Sequence, residues 1–206
     1  MIGSSLKPSQ ILATNLSAPF LAYVKKAELD MTISFSSFVI GNVEEANAWC
    51  ASHGLKDLSP EQIAEKLARM PVARKKLDRL EIFAEEDQPN ESERIQRIAI
   101  ITQGGDDSIF AIYRDTCSSQ KMTSAGAQGG NEFCCSGSVE IRKFPTKKVD
   151  KIIDTNCAGD TFAGAFLASL SLGKNIDESV NAANYAASIV IQDHGCSFPQ
   201  VCDFKV

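Results

Sequence analysis

The 206-residue sequence lacks the features that mark membrane, secreted or nucleic-acid-binding proteins. No run approaches eighteen consecutive apolar residues, and the first twenty residues lack the basic start and unbroken apolar stretch of a secretory signal. A formal net charge of -5 disfavours a partner that is held mainly through phosphate neutralisation, such as nucleic acid. We therefore expect a protein of the cytoplasm, or of the cytoplasm and the nucleus, that binds neither membranes nor nucleic acid.

The seven cysteines do not form the pattern of a disulfide scaffold or a zinc site. Their number is odd, Cys134 and Cys135 are adjacent, and no C-x-x-C motif occurs. The two histidines, His53 and His194, are far apart in the sequence. We expect reduced thiols and no metal bound through sulfur.

The apolar content is sufficient for one sizeable core, since 44% of the residues are hydrophobic and 23% are charged. Short apolar runs predict strands near residues 11–16, 35–40, 98–102, 108–113 and 139–149, and helical patterns predict helices near 44–51, 60–70, 158–172 and 177–193. This alternation is typical of an α/β fold with three layers and a twisted, mostly parallel sheet. In such folds ligands bind beyond the carboxyl ends of the strands.

Two polar segments interrupt this alternation within a single domain, 1–206. Residues 73–97 are rich in charge, and residues 115–138 are rich in Ser, Gly, Cys and Thr but poor in large apolar groups. Such segments cannot offset their ordering entropy by burial. We predict a charged loop over 73–97 and a flexible insertion over 115–138.

The most informative segment, DTNCAGDTF at 154–162, joins a predicted strand to an apolar helix. The first amides of a helix have no intrahelical acceptor and lie at the positive end of its dipole, so a phosphate is stabilised there. The carboxylate of Asp160 would lie beside that phosphate, where it can take a proton from an attacking hydroxyl. From the residues alone, an acidic side chain that only complements the helix dipole is an open alternative.

This segment resembles the D-T-x-G-A-G-D signature of the ribokinase-like family of sugar and nucleoside kinases. The resemblance implies that Asp160 is the catalytic base and that the amides of Cys157, Ala158 and Gly159 form an anion hole. Cys157 stands where the signature has its first glycine, and a side chain there restricts the backbone. We predict that Cys157 lowers the turnover rate. A lowered pKa and ready oxidation of this thiol, because it stands at a helix N-terminus, are an open alternative.

The stretch from Asn42 to Glu45 predicts a capping box, because Asn is followed three residues later by Glu. Ser59, Pro60 and Gln62 form a second helix start of the same kind. Asn42 and Glu45 also resemble the N-x-x-E motif of the family, which implies that they organise Mg²⁺ and phosphate, largely through water.

Three further segments resemble the adenosine kinase branch of this family: 15–20, 102–107 and 186–199. The similarity covers nearly the whole chain, which resembles the C-terminal portion of these kinases. It implies that Asn15, Thr102, Gly104 and His194 bind ATP. A simple turn at Gly104 and a helix-end role for His194 remain open alternatives.

The resemblance implies transfer of the γ-phosphate of ATP to the 5′-hydroxyl of adenosine, a step of purine salvage that uses Mg²⁺. The expected partners are adenosine and ATP, and the expected state is a monomer or a self-associated form that pairs through an exposed sheet edge. The N-terminal half and lid of the family have no counterpart in the sequence. Two alternatives follow: a noncatalytic remnant that binds nucleotide or another chain, and a sugar kinase of the same family.

Overall fold

A computed structural model of the protein describes residues 11–72, 94–115 and 137–198. It has five strands, β1 Ala13–Asn15, β2 Phe38–Asn42, β3 Arg94–Gln103, β4 Asp106–Asp115 and β5 Gly137–Phe144. The helices are α1 Leu21–Val24, α2 Lys26–Phe35, α3 Val43–Ser52, α4 Pro60–Arg69, α5 Ala158–Ser171 and α6 Ile176–Val190. No helix in these three ranges is both long enough and apolar enough to cross a bilayer.

The five strands form one sheet in the order β1-β2-β3-β4-β5. The pairs β1–β2 and β2–β3 are parallel, whereas β3–β4 and β4–β5 are antiparallel. The α/β prediction is confirmed, and the sheet is mixed, with more antiparallel pairing than the sequence indicated. A tight turn at Gly104, where φ is +63°, joins β3 to β4 and accounts for the change of direction.

Alternating side chains of the central strands bury themselves on opposite faces of the sheet. Val39 and Ile101 lie in a core beneath α1 to α4, whereas Ile40 and Ile100 lie in a second core beneath α5 and α6. The period of two in these buried strands therefore produces three layers, as predicted.

Two helices near the amino end, α1 and α2, were not predicted. Only Ile33 of α2 and Ala22 of α1 are fully buried, so the sequence there lacks the apolar stripe on which helix prediction depends. Helix α2 also extends to Phe35, which was predicted to begin the following strand. Tertiary contacts, rather than local periodicity, determine this part of the fold.

The largest correction concerns Arg97, which was predicted to lie in the charged loop over 73–97. Strand β3 begins at Arg94, and the side chain of Arg97 is fully buried. Its guanidinium donates to the carbonyls of Ile33 and Ser36 at 2.8 and 3.0 Å and to those of Leu67 and Met70 at 3.2 and 2.6 Å. A buried charge is tolerated here because these oxygens belong to the negative carboxyl ends of α2 and α4.

The rest of the charged loop, 73–93, lies outside the described residues, as does 116–136 of the predicted insertion. The ends of that insertion are regular structure: 115 closes β4, and 137–138 open β5. The predicted flexibility of the segment stays a prediction.

Candidate functional site

Three predicted site residues lie at or next to the carboxyl ends of the three parallel strands, at one edge of the sheet. Asn15 is the last residue of β1 and pairs in register with Ile40, while Asn42 ends β2 and pairs with Thr102 of β3. Parallel strands bring their carboxyl ends to the same edge, which is where ligands bind in α/β proteins. The fold thus collects Asn15, Asn42 and Thr102 along one line.

The capping box predicted at Asn42 is present. The side-chain oxygen of Asn42 accepts from the amide of Glu45 at 2.9 Å, and a carboxylate oxygen of Glu45 accepts from the amide of Asn42 at 3.0 Å. Asn42 is exposed, but Glu45 is only 8% exposed. These contacts fix the start of α3 at the edge of the sheet and leave the second carboxylate oxygen of Glu45 without a role in the cap.

Helix α5 begins without a side-chain cap, and Cys157 immediately before it has a left-handed backbone, with φ 62° and ψ 0°. This is the conformation that glycine adopts without strain, so the structure supports the expectation that a side chain at this position is unfavourable. The amide of Ala158 donates to the carbonyl of Thr155 at 3.3 Å. Among the described residues, no acceptor faces the amides of Gly159 and Asp160.

The carboxylate of Asp160 is exposed in the first turn of α5, beside these open amides. Asn15 donates from its amide nitrogen to Asp160 Oδ1 at 3.3 Å, and its side-chain oxygen accepts from the amide of Ser17 at 2.9 Å. Both ends of the Asn15 side chain are therefore engaged with the protein. These contacts indicate that Asn15 orients Asp160, whereas ATP binding by Asn15 stays a prediction.

Glu45 and Asp160 are close enough to influence each other. Burial raises the pKa of Glu45, the hydrogen bond from the Asn42 amide opposes this, and the charges of Asp160 and Glu44 raise it further. Two carboxylates that repel each other across the end of β2 produce a negative field at this point. A cation or a cation-bound phosphate would relieve that repulsion.

Asp154 connects α5 to the segment that follows α6. One of its carboxylate oxygens accepts from the amide of Asn156 at 2.9 Å and the other from the amide of Gly195 at 3.0 Å. These two amides lower the pKa of Asp154, and nearby His194 contributes to the same shift. His194 is thereby held near the start of α5, although its ring is exposed.

Thr102 and Gly104 lie at the same edge of the sheet, but their contacts are local. The Thr102 hydroxyl reaches the carbonyl of Gly41 at 3.5 Å, which is a weak interaction. Gly104 is exposed in the turn between β3 and β4. Asn15 thus contacts Asp160 directly, Glu45 is linked to Asp160 only through charge, and Thr102 and Gly104 lie along the same edge.

The model of the pfkB family of carbohydrate kinases matches residues 4–201. The chain belongs to this family. It is 30% identical over 199 residues to adenosine kinase 1 of Arabidopsis thaliana and 30% identical over 185 residues to the adenosine kinase of Schizosaccharomyces pombe. These alignments cover 96% and 90% of this chain but only 45% and 42% of the two relatives.

Solved structures give the same result for the fold of this pfkB family member. The adenosine kinase of Schistosoma mansoni in complex with 2-fluoroadenosine superposes with a TM-score of 0.68 at 30% identity. The same enzyme in complex with adenosine and AMP gives a TM-score of 0.66 at 29% identity. Each match covers 96% of this chain and 46% of the other, so the chain spans less than half the length of these relatives.

The alternative of a lowered Cys157 pKa is contradicted by its surroundings. The adjacent thiol of Cys196 raises the pKa of Cys157, and burial and the carboxylates of Asp160 and Asp154 raise it further. The neighbouring sulfur and the two acidic groups act in the direction opposite to the lowering that a helix N-terminus favours. The proximity of Cys196 and the bridge made by Asp154 were not predicted from the sequence, since they join segments about forty residues apart.

The residues present fit a magnesium site in which the ion is held through water. Within the described ranges, no cluster of three or more His, Cys, Asp or Glu side chains could hold a metal directly. Asn42 and Glu45 each use one side-chain oxygen in the capping box, so few oxygens are left to bind a metal ion directly. Mg²⁺ commonly retains several waters and takes only one or two protein oxygens, which suits this donor set.

Proposed function

We propose that this pfkB family member is an adenosine kinase-like phosphotransferase that transfers the γ-phosphate of ATP to the 5′-hydroxyl of adenosine. The observation that carries the proposal is the position of the Asp160 carboxylate, which is exposed beside the open amides of α5 and oriented by Asn15. A proton acceptor and an anion site in one helical turn are the two groups that phosphoryl transfer to an alcohol requires.

In this proposal Asp160 takes the proton of the attacking hydroxyl. The amides of Gly159 and Cys157, with that of Ala158, stabilise the charge on the phosphoryl oxygens as it is transferred. The Ala158 amide is the weakest of these donors, because the carbonyl of Thr155 already accepts from it. Asn15 acts on the reaction through Asp160, whose oxygen it holds.

ATP would lie along the edge of the sheet, with Thr102 and Gly104 on one side and His194 on the other. Asn42 and Glu45 would hold Mg²⁺ through water, and the ion would supply neutralisation of the phosphate charge. The repulsion between Glu45 and Asp160 supports a cation at this point. In this role the chain would serve purine salvage in the cytoplasm.

Similarity to adenosine kinases supports adenosine rather than a sugar as the acceptor. The relatives named above are adenosine kinases, and one solved structure holds adenosine with AMP, the nucleoside and its phosphorylated form. The family as a whole is described as carbohydrate kinases, so a sugar is the competing acceptor. Phosphorylation of adenosine should exceed that of ribose and fructose when AMP and sugar phosphates are measured with the same ATP; the reverse order would contradict the choice of substrate.

The direct test of the proposal is Asp160→Asn, assayed by AMP formed from adenosine and ATP. Loss of a general base should lower the rate by roughly 10²- to 10⁴-fold while the fold is retained. Asp177→Asn is the matched control, because Asp177 is an exposed acidic residue in the first turn of α6. Equal activity in Asp160→Asn and the wild type would remove Asp160 from the mechanism.

A second candidate function is nucleotide binding without turnover. The left-handed backbone at Cys157 favours it, because a side chain stands where the anion hole needs a close approach to phosphate. Protein that binds ATP with Mg²⁺ in calorimetry but forms no AMP would support this candidate. Activity that disappears in Asp160→Asn would exclude it.

A further inference from the structure

Cys157 and Cys196 lie in two segments that a single carboxylate holds together. Asp154 accepts from the amides of Asn156 and Gly195, the residues that immediately precede the two cysteines. Each cysteine is therefore the next residue after one whose backbone amide is bound to the Asp154 side chain, although the two cysteines are 39 positions apart in the sequence.

A second contact keeps the two segments side by side. The amide of Ile153 donates to the carbonyl of Ile191 at 2.8 Å, just after the end of α6. Together with the Asp154 bridge, this bond limits the freedom of both segments to separate. A disulfide requires the two Cα atoms to lie within about 7 Å, and the two tethers keep the segments that carry Cys157 and Cys196 from moving apart.

Both thiols are free and reachable from solvent. Cys157 is partly exposed and Cys196 is exposed, whereas Cys50 is buried in the core of the molecule. The Cys196 thiol is near enough to be the main influence on the ionisation of Cys157. Cys157 and Cys196 are therefore two neighbouring, accessible thiols, and the buried Cys50 serves as an inaccessible thiol for comparison.

We propose that Cys157 and Cys196 form a reversible disulfide when the protein meets a low-molecular-weight disulfide such as oxidised glutathione. The thiolate of one cysteine attacks a sulfur of the oxidant, forming a mixed disulfide and releasing one thiol. The thiolate of the second cysteine then attacks the protein sulfur of that mixed disulfide and releases the second thiol. Two protein thiols are oxidised, one small disulfide is reduced to two thiols, and the protein loses two hydrogens.

The bond would lie at the entrance to the open amides of α5, since Cys157 immediately precedes that helix. It would join the start of α5 to the segment after α6 and obstruct access of phosphate to Gly159 and Asp160. This consequence rests on the proposed function, but formation of the bond does not.

The test uses the full chain with Cys117, Cys134, Cys135 and Cys202 replaced by serine, so that Cys50, Cys157 and Cys196 remain. The protein is treated with oxidised glutathione, the free thiols are blocked, and tryptic peptides are measured by mass spectrometry without reduction. Trypsin cleaves after Lys151, Lys174 and Lys205, so the two cysteines leave on different peptides. We expect most molecules to yield these two peptides linked, with reversal by dithiothreitol.

Two variants and one condition serve as controls. Cys157→Ser and Cys196→Ser should each carry glutathione on the remaining surface thiol and form no internal bond. The chain unfolded in urea should give mixed pairings that include Cys50, because the Asp154 bridge is then absent. Any of three results in the folded protein would overturn the proposal: links to Cys50 as abundant as those between the pair, glutathione on both thiols without a link, or no reaction.

The effect on the proposed site is measured separately, through ATP binding before and after oxidation. Oxidation should weaken ATP binding at least about tenfold, and dithiothreitol should restore it. A linked protein that never binds ATP in either state would count against the proposed function while leaving the disulfide established. A linked protein with unchanged ATP binding would overturn the claim that the bond obstructs the site.

Discussion

Helices α5 and α6 pack against each other, but they begin in different ways. At α6, the side chain of Asn175 accepts from the amide of Glu178 at 2.8 Å, and Glu178 accepts from the amide of Asn175 at 3.1 Å. At α5, no side chain caps the helix, and Cys157 is held in the left-handed region. At the start of α6 the protein's own side chains accept from the free amides. The start of α5 stays open at some cost in backbone strain, as binding sites often do.

Closed helix ends also occur elsewhere in the described residues, although α1 and α2 begin without a side-chain cap. Capping boxes close the amino ends of α3 and α4, and Arg97 closes the carboxyl ends of α2 and α4. The start of α5 differs from the starts of α3, α4 and α6 in having no side-chain cap, and its backbone is left-handed at Cys157.

The largest effect is expected for Arg97→Met, which should lower the free energy of unfolding by at least about 3 kcal/mol. The variant leaves several buried helix carbonyls without a donor, and each such group costs about 1–3 kcal/mol. Burial lowers the pKa of Arg97 to about 10, so the wild-type side chain is still charged at neutral pH. Urea unfolding measures the change.

Arg97→Lys serves as the second variant for this prediction. Lysine keeps the charge but replaces a rigid fork of five donors by a single ammonium, so it should recover only part of the stability. Lys25→Met, which breaks an exposed pair with Glu28, should change stability by less than about 1 kcal/mol. Full recovery in Arg97→Lys would show that charge alone, rather than the donors to two helices, is what the site requires.

Cys157→Gly, at the open start of α5, should raise both the free energy of unfolding and the rate of AMP formation. A left-handed backbone costs an L-residue about 1 kcal/mol, and glycine removes that cost. If the same strain hinders the anion hole, AMP formation should rise by roughly 5- to 150-fold. Stability measured by urea unfolding and the rate of AMP formation should increase together.

Cys157→Ala is the matched control, because alanine removes the sulfur but keeps a side chain at the same backbone position. It should show neither gain. Equal improvement in Cys157→Ala and Cys157→Gly would assign the defect to the thiol rather than to the backbone, and no improvement in either would dismiss the hypothesis.

Asn175→Ala opens the closed end and should lower the free energy of unfolding by about 1 kcal/mol, the usual cost of losing an N-cap. AMP formation should be unchanged, since Asn175 lies at the start of α6 and takes no part in the proposed site. Asn175→Asp retains an acceptor and should restore most of the stability. A fall in activity that exceeds the fall in stability would show that the two helix ends are coupled.

The sequence predicted several features that depend on neighbouring residues, although the capping box of Asn175 and Glu178 was not among them. The capping boxes at Asn42 and Ser59 lie within four residues of sequence, and both are present. The burial of Arg97 could not be predicted, because its acceptors are carbonyls about 30 and 60 residues away. In the candidate site, the amides and Asp160 follow from one motif, but the Asp154 bridge to Gly195 depends on how distant segments pack.

The smallest stability effect is expected for Glu45→Gln, which separates the cap from the proposed magnesium role. Glutamine can still accept from the amide of Asn42, so the capping box should persist. Because the folded pKa of Glu45 is raised, the folded state binds a proton more tightly than the unfolded state does. The contribution of Glu45 to stability is therefore greatest at acid pH and declines as pH rises from about 4 through the folded pKa.

The wild type should accordingly lose stability relative to Glu45→Gln over that pH window, and the variant should be at least as stable at neutral pH. Its AMP formation should nevertheless fall and require more Mg²⁺, because the carboxylate charge that favours the cation is gone. Urea unfolding at several pH values and a magnesium titration of activity measure the two effects independently. An active variant with an unchanged magnesium requirement would restrict Glu45 to capping α3, and α5 would then be the only one of these helix ends with a direct part in the chemistry.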